Sequence, residues 1–102
     1  MITVSDSVIC RKVVEKFGID IQQIVAMEEL GELIQAISKI ARWECNQSED
    51  LETLLEYIDN LAEEIADVEI MLEQLKQCHG CHIQVDDYKI RKLEKLKSMV
   101  EG

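Results

Sequence analysis

The sequence predicts an all-α protein of about four helices, two of them long, antiparallel and forming a bundle completed by oligomerisation. Three observations predict it. The 102 residues contain no proline and only four glycines, so little in the chain interrupts a helix. Apolar residues recur at steps of three and four rather than in alternation. Aromatic residues make up only 4% of the chain, and no segment reads as a strand bounded by turn residues. A chain of this length reads as one domain, residues 1–102, with a real but marginal core.

The first helix is expected to start at a cap on Ser5 or Asp6, to carry Val8, Ile9, Val13 and Val14, and to stop near Phe17 at Gly18. Asp20 is expected to cap the second, which runs to about Trp43 on Ile21, Ile24, Met27, Leu30, Leu33, Ile34, Ile37 and Ile40. Residues 44–50 are polar and read as a loop. Ser48 or Asp50 can then cap a third helix from about Leu51 to Gln77, with Leu54, Leu55, Ile58, Leu61, Ile65, Val68, Leu72 and Leu75 on its apolar arc. Cys78-His79-Gly80-Cys81-His82 breaks the pattern. A fourth helix, capped near Asp86, carries Tyr88, Ile90, Leu93, Leu96 and Val100 and many of the basic residues.

Charge narrows the function. Twenty-one acidic residues against eleven basic give a net charge of −10, which disfavours nucleic acid and anionic membrane surfaces as partners. An anionic ligand still fits if a divalent cation stands between it and the protein. No apolar run approaches the roughly 20 residues of a membrane span. The first residues lack the basic and apolar pattern of a signal peptide. The expectation is a cytoplasmic chain whose four cysteines are reduced.

Two acidic stretches stand out: Glu28-Glu29-Leu30-Gly31-Glu32 on the second helix and Glu63-Glu64-Ile65-Ala66-Asp67 on the third. At about 100° per residue, Glu29 falls within the margin of its helix's apolar arc, beside Ala36 and Ile40, and Glu32 sits at its edge. Glu28 turns away. On the third helix Asn60, Glu64, Asp67 and Met71 form one strip along the arc, and Glu63 turns away. Each helix thus brings two acids, at i and i+3, next to a buried face. Unpaired burial costs a carboxylate several kcal/mol (about 2–7 for neutral polar groups, more for a charge) or forces protonation. No lysine or arginine stands four residues after any of the four to relieve it. A hard divalent cation would, because Mg²⁺ takes carboxylate oxygens and keeps water and phosphate as its other ligands. The alternative is that such pairs are ordinary exposed helix charge. Gly31 either allows close approach of another helix or is simply tolerated.

These stretches resemble the E-E-x-x-E and E-x-x-D motifs of the MazG-like all-α nucleoside triphosphate pyrophosphohydrolases, and Leu33-Ile34-Gln35-Ala36 and Asn60 to Val68 are similar to that family as well. The resemblance covers about residues 20–76, with a longer spacing between the motifs than the family pattern. It implies Glu29, Glu32, Glu64 and Asp67 as ligands of Mg²⁺, with Mn²⁺ a possible substitute. It implies cleavage of a nucleoside triphosphate to monophosphate and pyrophosphate, and a homo-oligomer, dimer or tetramer. Glu28 or a ligand acid would orient the attacking water. Lys39 and Arg42 are candidates to meet phosphates, Trp43 to stack on a base and Asn60 to bind base or sugar; surface charge, packing and a hydrogen bond to a neighbouring carboxylate are the respective alternatives.

The Cys78 to His82 stretch matches C-x-x-C-H, a haem attachment pattern that the absence of an export signal disfavours. A zinc site on Cys78 and Cys81 with His79 or His82 lacks a second ligand pair. Cys10 and Cys45 read as packing residues or free thiols. The competing function is a non-catalytic helical association module, suggested by helices too long and too apolar to be satisfied within one small chain.

Overall fold

A computed structural model describes residues 2–46 and 50–102. The chain is all-helical, with α1 at Val4–Phe17, α2 at Ile19–Asn46, α3 at Leu51–His79 and α4 at His82–Glu101. There is no strand among the described residues, and no helix is long and apolar enough to cross a membrane.

The helix boundaries follow from capping chemistry, and several differ from expectation. Thr3, not Ser5 or Asp6, caps α1. Its hydroxyl accepts from the Asp6 N–H at 3.1 Å, and the Asp6 carboxylate accepts from the Thr3 N–H at 2.9 Å, a reciprocal box that satisfies two otherwise orphaned donors. Gly18, at φ +92°, ends α1 with its N–H on the Val14 carbonyl. The turn is so tight that α2 begins at Ile19, leaving Asp20 in its first turn rather than at the cap. A carboxylate there still complements the helix dipole. α2 then continues through 44–46, which were expected to be loop; Ser48 lies outside the described residues. Asp50 caps α3, accepting from the Thr53 N–H at 2.9 Å.

At the other end, Cys78 and His79 belong to the last turn of α3. Gly80 sits in the left-handed region at φ +59° and stops the helix, a conformation glycine adopts without the penalty a Cβ brings. α4 starts directly afterwards at His82, four residues before the expected cap at Asp86, because the turn needs only Gly80 and Cys81. Cys81 makes no side-chain cap.

α2 and α3 pack antiparallel and form the body of the molecule, with α1 laid chiefly on α3. Ala26 and Ala36 of α2 are only 2% and 1% exposed, against Val68 and Met71 at 7% and 8% on α3. Small side chains at the contact let the backbones approach. The contact is therefore centred on alanines, with Leu33 and Ile40 half-buried, while Leu30, Ile34 and Ile37, expected on the same apolar arc, stay exposed. A Cβ at Gly31 would meet nothing within 4 Å, so that glycine makes no close helix approach inside the chain. Filling the contact should be costly: Ala36→Leu is expected to destabilise the chain by about 1–3 kcal/mol through overpacking, read as a lowered urea midpoint at unchanged slope.

Candidate metal centre

The centre lies midway along the α2–α3 pair. Glu29 follows Ala26 by three residues and precedes Ala36 by seven, so helical geometry turns it to the same flank that meets α3. Glu64 precedes the buried Val68 by four residues, which sets it on the facing side of α3 in the same way. One carboxylate oxygen each from Glu29, Glu64 and Asp67 lie within 4.8 Å of one another. Glu64 is only 9% exposed. The Oε2 atoms of both Glu29 and Glu64 are buried with no hydrogen-bond partner.

The electrostatics agree with this crowding. Burial, then the charges of Glu32, Asp67 and Glu64, push the Glu29 carboxyl above its ordinary value. Burial, then Glu32 by charge and hydrogen bond, then Asp67 and Glu63, do the same for Glu64. Among the described residues no salt bridge reaches these carboxylates. A set of hard oxygen donors this close, charged and unneutralised, fits a divalent cation with oxygen preference.

Of the four carboxylates named from the sequence, three converge. Glu32 is exposed and stands against Glu29 and Glu64, raising both by its charge and a side-chain hydrogen bond, and is not among the three whose oxygens all lie within 4.8 Å of one another. Glu28 and Glu63 are exposed, as their wheel positions require. Asn60 is half-buried one turn before Glu64. Lys39 and Arg42 lie about 10 and 15 Å further along the α2 axis from Glu32, at 1.5 Å per residue. The Lys39 ammonium stands 6.0 Å from the centre of the Tyr57 ring. Trp43 is half-buried, and its indole N–H donates to the Asp50 carbonyl at 3.2 Å, bridging the α2–α3 connection.

The Cys-His stretch is drawn apart by its backbone. His79 contacts the Gln23 side-chain oxygen at 2.7 Å, while His82 contacts Glu73 at 2.8 Å. Among the described residues, only Glu29, Glu64 and Asp67 bring three ligand atoms together. Cys10 is buried and Cys45 exposed, both as free thiols. Burial, then the charges of Glu73 and Asp6, push the Cys10 thiol up.

The sequence reading missed a second polar cluster. Glu73 is 4% exposed and accepts from Gln77 at 2.9 Å and His82 at 2.8 Å, with the Lys76 ammonium at 3.7 Å. Gln77 also donates to the Ser7 carbonyl, so this cluster joins α1, α3 and the start of α4. Burial alone would raise the Glu73 pKa; the hydrogen bonds from His82 and Gln77 and the charges of His82 and Lys76 outweigh it and hold the carboxyl below its ordinary value. A glutamate and a histidine nine residues apart follow no local helical spacing, so only the turn at Gly80 reveals the pair. The two buried glutamates thus differ: Glu73 is fully answered by donors, and Glu64 is not.

No protein-family model matches the chain, and no curated protein or solved structure matches it either.

Proposed function

We propose that this chain is a Mg²⁺-dependent nucleoside triphosphate pyrophosphohydrolase that works in the cytoplasm as a homo-oligomer. The single observation that supports this most is the pair of buried, unpartnered carboxylate oxygens on Glu29 and Glu64, converging with Asp67. Elsewhere the chain satisfies a buried carboxylate with three partners, at Glu73. The missing partner at Glu29 and Glu64 is a cation, and the likeness of both acidic stretches to the MazG-like motifs supplies the reaction.

Glu29, Glu64 and Asp67 would hold Mg²⁺, or Mn²⁺ in its place, with Glu32 at the rim. When bound, the ion supplies positive charge to the triphosphate oxygens and makes water a better nucleophile at the α-phosphorus. The chain's own residues do the rest. The α2–α3 contact fixes the three carboxylates on rigid helices, so little reorganisation accompanies reaction. Glu28, one residue before Glu29 and exposed, would orient a water or accept its proton. Asn60 offers an amide to sugar or base. Lys39 and Arg42 belong to the far end of α2 and would meet only an extended part of the nucleotide.

A panel of canonical and modified nucleoside triphosphates, assayed for pyrophosphate release with Mg²⁺, tests the proposal. At least one should be turned over, and Glu29→Gln and Asp67→Asn should lose that activity while keeping the helical circular dichroism signal. The association module is favoured instead by the exposed apolar strips on α2 and α3. It prevails if no nucleotide is cleaved and titration shows no Mg²⁺ binding.

A further inference from the structure

α4 leaves the body. α1, α2 and α3 pack on one another, whereas α4 does not share in packing of that extent, and none of its residues is buried. It is fastened at its root, by the Gly80–Cys81 turn, by His82 on Glu73, and by Val85 and Lys89 lining a groove with Leu72 and Leu75 of α3. Beyond that root the helix runs on with Leu93, Leu96 and Val100 at 62%, 53% and 86% exposure. On the wheel these continue the line begun by Val85. Lys89, Lys92 and Lys97 lie along or beside this stripe, with Asp86 beside it at the root, while Asp87, Arg91 and Glu94 fall on the opposite face.

The body offers the complement. Met27, Ile34 and Ile37 of α2 and Leu55, Ile58 and Ile65 of α3 are exposed large apolar residues. In an antiparallel pair their wheel positions place both strips on one side, away from the carboxylate centre. A continuous apolar face of this size on a small chain marks an interaction surface. Exposed acids edge it: Glu44, Asp59 and Glu69. The charges divide accordingly. α2 and α3 together carry thirteen acidic and three basic residues, while α4 carries five basic and four acidic.

We propose that α4 of one chain lies along the α2–α3 apolar face of a second copy, and reciprocally, with Lys92 and Lys97 set against its acidic edge. The inference rests on the homo-oligomer part of the proposed function and names the element that makes it. Each α4 is about 30 Å long, enough to span much of the partner's face, and a reciprocal exchange closes with two-fold symmetry. The occupant is a second copy because an acid-edged apolar face and a lysine-edged apolar stripe occur on the same molecule and are left unjoined within it.

The test uses the full chain. Light scattering after size exclusion should give a dimer or a multiple of it for the unmodified protein. The Leu93→Glu/Leu96→Glu variant and the Ile34→Glu/Ile65→Glu variant should both run as monomers with helicity retained, since all four positions are exposed. Zero-length lysine-to-carboxylate cross-linking of mixed light and ¹⁵N-labelled chains should join Lys92 or Lys97 of one isotope to α2 or α3 of the other. A monomeric unmodified protein overturns this inference and the homo-oligomer together. An oligomer that survives the α4 variant but not the Ile34/Ile65 variant overturns the placement of α4 alone, as do lysine cross-links confined to one isotope. Loss of the pyrophosphohydrolase reading would leave all these masses unchanged.

Discussion

Glu64→Gln is expected to abolish pyrophosphate release and, in the same protein, to raise the thermal midpoint measured in a chelator. The two effects have one cause. Glu64 places a nearly buried oxygen against Glu29 and Asp67 with no donor to answer it, so without a cation the three charges work against the fold. Glutamine keeps the shape, removes one charge and adds an amide donor. With Mg²⁺ the order should reverse, because on the proposed function the unmodified chain would gain a ligand that the variant would hold poorly. Loss of groups that merely support metal ligands commonly costs 10–100-fold in affinity or activity, so loss of a direct ligand should cost about 100-fold or more. A variant that keeps near-full turnover, or melts earlier than the unmodified chain in chelator, contradicts the assignment.

The second large effect is in pH. Glu29 and Glu64 both titrate above the ordinary glutamate value of 4.5. A carboxyl whose folded-state pKa is raised favours the fold in its protonated form. Its contribution is complete below 4.5 and is lost as pH rises through the raised values. Glu73 behaves oppositely: its depressed pKa makes its contribution available above 4.5 and lost as pH falls through the folded value. The metal-free chain should therefore gain stability as Glu73 ionises and then lose some in the window just above 4.5. Mg²⁺ should restore it at neutral pH, by about 2.7 kcal/mol at a hundred times its dissociation constant. Urea midpoints across pH, with and without Mg²⁺, check this. A single rise to neutral pH that Mg²⁺ leaves unchanged would contradict it, and Glu29→Gln should blunt the decline.

The order and length of the helices were legible because apolar spacing and the lack of proline dominate a sequence with few competing signals. The middle of the acidic site was legible for the same reason: Glu29 and Glu64 occupy wheel positions where a charge has no cause to be. Boundaries were less so. Capping depends on which side chain meets which N–H, so Thr3, with Asp6 answering it, took a role that composition assigns equally to Ser5. The Cys-His stretch reads as a loop because of its residue types, yet a single left-handed glycine suffices to turn the chain, and the rest is helix. The wheel also marks which residues share a face but not which of them is central. Ala36 decides that on α2, by being small, and moves Ile34 and Ile37 to the outside. Glu32 shows the same limit: the wheel sets it at the edge of the arc, and it stands against Glu29 and Glu64 without joining the three converging oxygens.

The antiparallel α2–α3 pair also carries a temporal consequence. Its cross-contacts lengthen steadily in sequence from one end to the other, from seven residues between Trp43 and Asp50 to 56 between Gln23 and His79. Loop closure is cheapest for the shortest separation, so the pair assembles most readily from the Trp43 end, like a zip. The mutually repelling carboxylates are met partway along, after the cheap contacts have formed. A cation bound there, as the proposed function requires, would stabilise a stage later than the first closure, and so would hold the folded chain against reopening more than it would hasten the start.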